Sequence, residues 1–204
     1  RIMNDFGDVF VVAPDSPQSG KGHAITIEAT IRCDKVIIED GPQTEYSCSG
    51  TPVDCVKLAV NQLLDRKPDL CVSGINHGSN SSINVIYSGT MSAAVEGALE
   101  GIPSIGFSLL DYAHNADFSE AEQYIRKVTK EVLENGLDDG VCLNVNIPKR
   151  IEVLQIKHDI SKMECEMQYH QGMTQLFDEN LCHLQSILEK SLEKCIIQKQ
   201  EEPV

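Results

Sequence analysis

The sequence predicts an α/β fold, a Rossmann-like three-layer sandwich with a mostly parallel sheet and a helical appendage at its end. Residues 8–14 are a short, continuous apolar run with the form of a strand buried on both faces, which is typical of parallel sheets. Residues 69–74 have the form of a second buried strand, and 102–109 and 142–147 supply two further strand-like runs. Helix signals separate the later runs, so strands and helices alternate along the chain. That alternation predicts helices on both faces of the sheet.

The first half of the chain contains one weak strand region and one clear helix start. Residues 25–39 are rich in Ile, Val and Thr and alternate weakly, which predicts strands or a hairpin. Thr51-Pro-Val-Asp54 then combines an N-cap hydroxyl, Pro at the first helical position and an acid at the third. We expect a helix to begin there.

Two further helices are predicted between the later strands. Ser88-Gly-Thr90 precedes a helix from residue 91 to about residue 100, closed by Gly101, and Thr90 is a candidate N-cap. Ser119-Glu-Ala-Glu122 has the form of a second capping box, opening a helix that ends near Asn135-Gly136.

The composition and the hydrophobic pattern of the sequence change after residue 149. Residues 150–204 contain few Gly or Pro and no run typical of a buried strand. The apolar residues of this part approximate one helical stripe: Leu181, Leu184, Leu188, Leu192 and Cys195. We therefore predict one domain over residues 1–149 and a divergent helical tail over 150–204, which packs on its own domain or a second subunit, or else binds a partner.

Composition excludes several classes of function. With 31 acidic and 17 basic residues the net charge is −14, which argues against binding a nucleic-acid polymer. No apolar run approaches the roughly 18 residues of a membrane span. The eight cysteines form no CxxC pair, so together with the lack of a signal-peptide pattern they predict free thiols in a cytoplasmic protein; they are Cys33, Cys48, Cys55, Cys71, Cys142, Cys165, Cys182 and Cys195.

Three polar segments are candidates for an anion site. The loops at residues 15–23 and 75–82 each follow a predicted buried strand, where open α/β folds bind their ligands. The turn Ser88-Gly-Thr90 adds backbone N–H groups at a helix start and two hydroxyls. Ordinary helix capping is the alternative interpretation of that turn.

Some residues of these loops also suggest a metal or a proton carrier. Ser19 and Asn76 carry neutral oxygens that suit Mg²⁺ or Mn²⁺, although such sites normally include carboxylates. Lys21 and His23 are candidates to offset phosphate charge or transfer a proton, or are simply solvated.

Ordered motifs covering most of residues 8–148 closely resemble the SurE family of survival-protein phosphatases. These motifs are Val11-Val-Ala-Pro-Asp15, Gln18-Ser-Gly20, Gly50-Thr-Pro-Val-Asp-Cys-Val-Lys57, Val72-Ser-Gly-Ile-Asn-His-Gly78, Tyr87-Ser-Gly-Thr90, Gly101-Ile-Pro-Ser-Ile105 and Leu143-Asn-Val-Asn-Ile-Pro148. The resemblance implies a Rossmann-like domain that hydrolyses nucleoside monophosphates as a 5′- or 3′-nucleotidase with a divalent metal. It also implies a cytoplasmic dimer or tetramer.

The resemblance also implies roles for particular residues. Ser19 and Asn76 match the family's serine and asparagine metal ligands. Gly78 and Asn80, together with the turn 88–90 formed by Ser88, Gly89 and Thr90, fall where the family forms its phosphate pocket. No catalytic acid or base is assigned.

The sequence departs from the family at both ends. Family members begin with a strand ending in Asn-Asp-Asp-Gly, whose aspartates bind the metal, and the matching segment here starts later; Asp5 is too close to the next strand to replace them. The tail after residue 149 departs as well. The alternative to a nucleotidase is therefore a noncatalytic phosphate- or nucleotide-binding remnant of the same fold, whereas a dinucleotide oxidoreductase is disfavoured because GxGxxG is lacking.

Overall fold

The structure is a computed structural model that describes residues 1–149 and the backbone of residues 196–200. Its elements in chain order are β1 (Phe10–Pro14), β2 (Cys33–Val36), β3 (Thr44–Cys48), α1 (Pro52–Leu58), β4 (Cys71–His77), α2 (Gly89–Leu99), β5 (Ser104–Leu109), α3 (Glu122–Asn135), β6 (Cys142–Ile147) and β7 (Ile196–Gln200). A π-helical turn, Ala59–Leu63, extends α1, and 3₁₀ helices span Ile2–Asp5, Ser82–Tyr87 and Ser119–Ala121. No helix in the described part is long and apolar enough to cross a membrane.

The strands form two sheets. In the first, β1 pairs in parallel with β3, and β3 pairs antiparallel with β2. In the second, β4, β5 and β6 run parallel and β7 adds an antiparallel edge beside β6. The predicted α/β architecture is confirmed, but β1 and β4 do not pair with each other.

Each face of the larger sheet packs against a different helix because side chains alternate along a strand. One face of β5 and β6 forms the main core with α3, which contributes Ile125, Val128 and Val132. The opposite face packs against α2 and is built from small residues. Gly106 of β5 lies against Met91, where any Cβ would clash, so α2 sits close to the sheet.

The prediction that the strand at residues 8–14 is buried on both faces was wrong. Phe10 and Val11 are 48% and 36% exposed, and no residue of β1 is fully buried. The reason is that, among the strands that the structure describes, β1 pairs with β3 alone. An unpaired strand edge leaves the neighbouring side chains uncovered.

The capping predictions had mixed outcomes. Thr51 and Asp54 form the predicted capping box of α1. Ser88 rather than Thr90 caps α2, its Oγ accepting from the N–H of Met91 at 3.1 Å. Gly101 closes that helix at φ +70° as expected. Ser119, however, opens a 3₁₀ turn, and α3 begins at Glu122 without a side-chain cap.

The cysteine prediction needs one correction. Cys33 and Cys48 face each other across the β2–β3 ladder and form a disulfide, with 4.1 Å between their Cα atoms. Cys55, Cys71 and Cys142 are free. Burial raises the pKa of Cys55 to about 12 and that of Cys71 to about 11, as expected for unreactive structural thiols.

The tail prediction is corrected over five residues. Ile196–Gln200 is a β-strand that pairs with β6, because the free edge of β6 accepts another strand there. The β-branched pair Ile196 and Ile197 suits this conformation. The stripe from Leu181 to Cys195 lies outside the described residues.

Candidate functional site

The loop after β1 carries Ser19 and is held to the rest of the fold on both sides. Gly22 is buried at φ +56°, and a Cβ there would come within 2.5 Å of the Ile86 carbonyl oxygen. Close approach of the two backbones therefore requires glycine at this position. Two residues further on, the carbonyl of Ala24 accepts a 2.7 Å hydrogen bond from the Thr51 hydroxyl. Ser19 itself is exposed near the tip of the loop.

A charged cluster fastens the same loop to α2. His23 Nε2 donates to Glu96 Oε2 at 2.8 Å, and Lys57 Nζ donates to Glu96 Oε1 at 2.6 Å. Glu96 is only 4% exposed. Burial alone would raise the pKa of Glu96, but the hydrogen bonds from Lys57 and His23 outweigh it and hold the pKa below its ordinary value of 4.5. The carboxylate is thus ionised and fully engaged at neutral pH.

The end of β4 delivers Asn76 to the second loop. The register of β4 against β5 shifts between Ser73 and Asn76, and such an irregularity re-aims the side chains that follow it. The Asn76 amide nitrogen donates to the carbonyls of His77 and Gly78 and to Asn80 Oδ1, at 2.9, 3.2 and 3.0 Å. These acceptors fix the amide so that its nitrogen faces them and Oδ1 lies on the opposite side.

The backbone after Asn76 turns tightly beneath an aromatic ring. Gly78 is buried at φ +82°, and the Tyr112 ring occupies the space where a Cβ would lie. The Ser79 N–H donates to the Tyr112 hydroxyl at 3.0 Å. Asn80, which is 2% exposed, completes the turn, and its Nδ2 has no hydrogen-bond partner among the described residues. An unsatisfied buried donor requires explanation, and a bound anion would supply one.

The segment 88–90 forms the start of α2. Ser88 is buried and its Oγ accepts from Met91, which leaves its O–H able to donate. By helix geometry the N–H groups of Gly89 and Thr90 have no partner within the helix. Gly89 also lies close to the Ser19 loop, since a Cβ there would be 3.9 Å from the Gln18 carbonyl oxygen. The helix dipole adds a partial positive charge at this point.

The predicted site residues fall into two groups. The Ser19 loop packs against residues 86–89, so Ser19 and the turn 88–90 belong to one neighbourhood. Asn76, Gly78 and Asn80 form the other, joined by their own hydrogen bonds. Among the described residues no hydrogen bond links Ser19 to Asn76.

The donor set for a divalent cation is incomplete. Asn76 Oδ1 and the exposed Ser19 hydroxyl are hard, neutral oxygen ligands of the kind that Mg²⁺ and Mn²⁺ accept. Within residues 1–149 no three His, Cys, Asp or Glu groups cluster as a metal site. The residues present therefore fit part of a coordination shell without its negative charge.

Several residues that hold the two loops of the candidate site in place were not predicted from the sequence. Asn144 and Asn146 of β6 bind the backbone of Asn80, and Ser108 of β5 donates to the Gly78 carbonyl. The available signal was two asparagines at alternate positions of an otherwise apolar, fully buried strand. Glu96 was also missed, because its partners His23 and Lys57 lie far from it in sequence.

The structure is an α/β fold with polar loops at the ends of two strands, one of them beside the start of a helix, and these are the places where such folds bind small anions. The profile of the family described as "Survival protein SurE" matches residues 1–171, beyond the boundary predicted at residue 149. The chain belongs to the SurE family.

Named relatives agree with this assignment. The "5′-nucleotidase SurE" of Flavobacterium psychrophilum is 68% identical over 151 residues, which is 74% of this chain and 59% of the relative. The Bacteroides fragilis protein of the same name is 50% identical over 157 residues, 77% of this chain and 61% of that one. The crystal structure of the SurE protein from Aquifex aeolicus superposes with a TM-score of 0.64 at 41% identity, covering 72% of this chain and 57% of that one. The chain thus spans less than two thirds of the length of these relatives.

Proposed function

We propose that this chain carries the phosphate-binding loops of a 5′-nucleotidase that hydrolyses nucleoside monophosphates to nucleoside and phosphate. Relatives up to 68% identical bear that name. The observation that carries the proposal is the pair Asn76 and Asn80. Asn76 keeps an amide oxygen for a ligand, and Asn80 retains a buried amide donor that has no partner among residues 1–149.

The assigned roles follow from the chemistry of each group. Asn76 Oδ1 and the Ser19 hydroxyl are the proposed ligands of a divalent cation, Mg²⁺ or Mn²⁺. When bound, such an ion polarises the phosphate and lowers the pKa of a coordinated water. Gly78 provides the close backbone approach, and Asn80 provides an amide donor to phosphate oxygens.

The start of α2 contributes the remaining phosphate contacts. The N–H groups of Gly89 and Thr90, together with the hydroxyls of Ser88 and Thr90, are suited to stabilise the equatorial oxygens of the reacting phosphate. No residue is assigned as general acid or base. We further propose that the protein is cytoplasmic and acts as a dimer or tetramer without nucleic-acid polymers as partners.

A second candidate is a noncatalytic phosphate- or nucleotide-binding module. It is favoured by the lack of a His, Cys, Asp and Glu cluster within the described residues. Titration of the full chain with Mn²⁺ or Mg²⁺, combined with turnover of a generic phosphomonoester, separates the two functions. Metal-dependent turnover supports the nucleotidase, whereas nucleotide binding without metal binding or turnover supports the module. Asn135→Ala, at an exposed position of α3, is the matched control for substitutions at Asn76.

A further inference from the structure

The face of β6 that points away from α3 becomes polar towards the carboxyl end of the strand. Leu143, Val145 and Ile147 belong to the α3 core. Because side chains alternate, Asn144 and Asn146 share the opposite face, and they are 0% and 2% exposed. Polar side chains are rarely buried so deeply without a full set of partners.

These two asparagines form a closed ring of hydrogen bonds with one loop residue. The Asn80 N–H donates to Asn146 Oδ1, and Asn144 Nδ2 donates to the Asn80 carbonyl. Asn146 Nδ2 closes the ring by donating to Asn144 Oδ1, and all three distances are 2.9 Å. The two side chains thus bind both backbone groups of Asn80, as a neighbouring strand would.

The ring extends to the proposed metal ligand through the side chain of Asn80. Asn80 Oδ1 accepts from the Asn76 amide nitrogen at 3.0 Å. Its N–H, carbonyl and Oδ1 are all engaged, and within the part of the chain that the structure describes Nδ2 has no partner. The position of that donor therefore depends on a strand that carries no predicted ligand, and so does one of the three contacts that orient the Asn76 amide.

We propose that Asn144 and Asn146 are positioning residues for the phosphate site: they fix the backbone of Asn80 and, through its side chain, the amide of Asn76. The expected consequence of breaking the ring, weaker phosphate binding, rests on the proposed function. The hydrogen-bonded ring itself does not. A rigid supporting layer of this kind holds a binding group where the ligand needs it.

The ring is tested first in the unmodified full chain by hydrogen exchange of the Asn80 amide. Burial and the bond to Asn146 predict slow exchange, comparable with the amides of β6. In Asn146→Leu, which is similar in size but neither donates nor accepts, this protection should fall at least tenfold relative to β6. Protection unchanged by this substitution, or a rapidly exchanging Asn80 amide in the parent chain, overturns the proposal.

A second variant provides a pH-dependent readout and does not require Asn146→Leu to fold. In Asn146→Asp the protonated carboxyl can accept from the Asn80 N–H and donate to Asn144 Oδ1, whereas the carboxylate cannot donate. Because position 146 is buried, desolvation should raise the pKa of the introduced carboxyl well above the ordinary value of about 3.9 and keep it protonated at pH 5. Affinity for inorganic phosphate, expressed as a ratio to the parent chain at the same pH, should then be near one at pH 5. At pH 8 it should be lower by on the order of tenfold. A ratio that does not change with pH contradicts the proposed ring.

A matched destabilising control separates positioning from general loss of stability. Val128→Ala opens the α3 core on the other face of the sheet and should lower the unfolding temperature without changing phosphate affinity or the exchange of the Asn80 amide relative to β6. Equal losses in Val128→Ala and Asn146→Asp would overturn the positioning role. If the parent chain binds no phosphate, the proposed function fails, and Asn80 exchange still decides whether the ring exists.

Discussion

The hydrogen bonds of Glu96 to His23 and Lys57, which tether the Ser19 loop to α2, lead to a quantitative prediction for Glu96→Gln. This substitution keeps the shape of the side chain and removes its charge. Glu96 accepts from Lys57 at 2.6 Å and from His23 at 2.8 Å. A hydrogen bond to a charged group contributes about 1.5–3 kcal/mol. Because the Lys57 side chain is 49% exposed, solvent weakens that pair. We expect the free energy of unfolding to fall by about 2 kcal/mol, or roughly 4–8 °C in unfolding temperature.

The dependence of this effect on pH has a definite sign. The pKa of Glu96 in the folded protein lies below its ordinary value, so its contribution to stability is present above that ordinary value. The contribution is lost as the pH falls through the folded-state pKa. The difference between the parent chain and Glu96→Gln should therefore be largest near neutral pH and vanish in strong acid.

Limited trypsin digestion reports the local consequence, since Lys21 lies in the tethered loop. Cleavage after Lys21 should be several-fold faster in Glu96→Gln than in the parent chain under native conditions. Glu131→Gln, at an exposed position of α3, is the control and should change neither stability nor cleavage. Equal unfolding temperatures and equal cleavage rates for the parent chain and Glu96→Gln would refute the tether.

Three other substitutions or extensions test different parts of the structure. Asn76→Ala should reduce Mn²⁺ affinity by an order of magnitude or more while leaving discrimination among nucleotides unchanged. An unchanged Mn²⁺ affinity, measured by isothermal titration, would contradict the assignment of Asn76 as a metal ligand. Asp54→Asn should lower the free energy of unfolding by about 1–2 kcal/mol at neutral pH and by less in acid, and denaturant unfolding at pH 7 and pH 3 provides the comparison. The reason is that burial raises the pKa of Asp54 but hydrogen bonds from Thr26 and Thr51 outweigh it and hold that pKa low. Preceding the chain with a strand that carries Asn-Asp-Asp-Gly should raise metal affinity and phosphoester turnover by orders of magnitude, and an extended chain without any gain would contradict the assignment of Ser19 and Asn76.

The parts of the fold that the sequence predicts well are those where local signals and burial agree. Residues 142–147 alternate apolar residues with asparagines in the sequence and form a fully buried strand in the structure. Thr51, Pro52 and Asp54 carry a complete capping signal, and the helix begins where they predict. Ser119 carries a similar signal without effect, because its N–H bonds instead to the carboxylate of Asp117 at 2.9 Å. A local motif thus predicts structure only where no competing partner lies close by.

The sequence predicts which residues of the candidate site lie at strand ends, but it does not predict the contacts that these residues make with other strands. Asn76 follows a recognisable strand, so its place at a sheet edge follows from topology alone. Two of the contacts that orient it are to the neighbouring carbonyls of His77 and Gly78. The third is to Asn80, which is held in turn by a strand more than sixty positions away. Such long-range pairing leaves no periodic trace in the sequence around Asn76. The disulfide between Cys33 and Cys48 was missed for the same reason, since it depends on the register of β2 against β3.

The two faces of β5 and β6 explain why a buried strand can support a ligand site. Small residues on β5, Ser104, Gly106 and Ser108, lie on the α2 side, while the large apolar residues of the same strand pack against α3. Asn144 and Asn146 pair in register with Gly106 and Ser108, so the polar side chains of β6 occur where the neighbouring strand offers little bulk. Room for two amides and their hydrogen bonds is thus created by the same small side chains that let α2 approach closely. Substituting a larger residue at Gly106 should consequently disturb both the packing of α2 and the loop that β6 holds, which couples the stability of this layer to the geometry of the site.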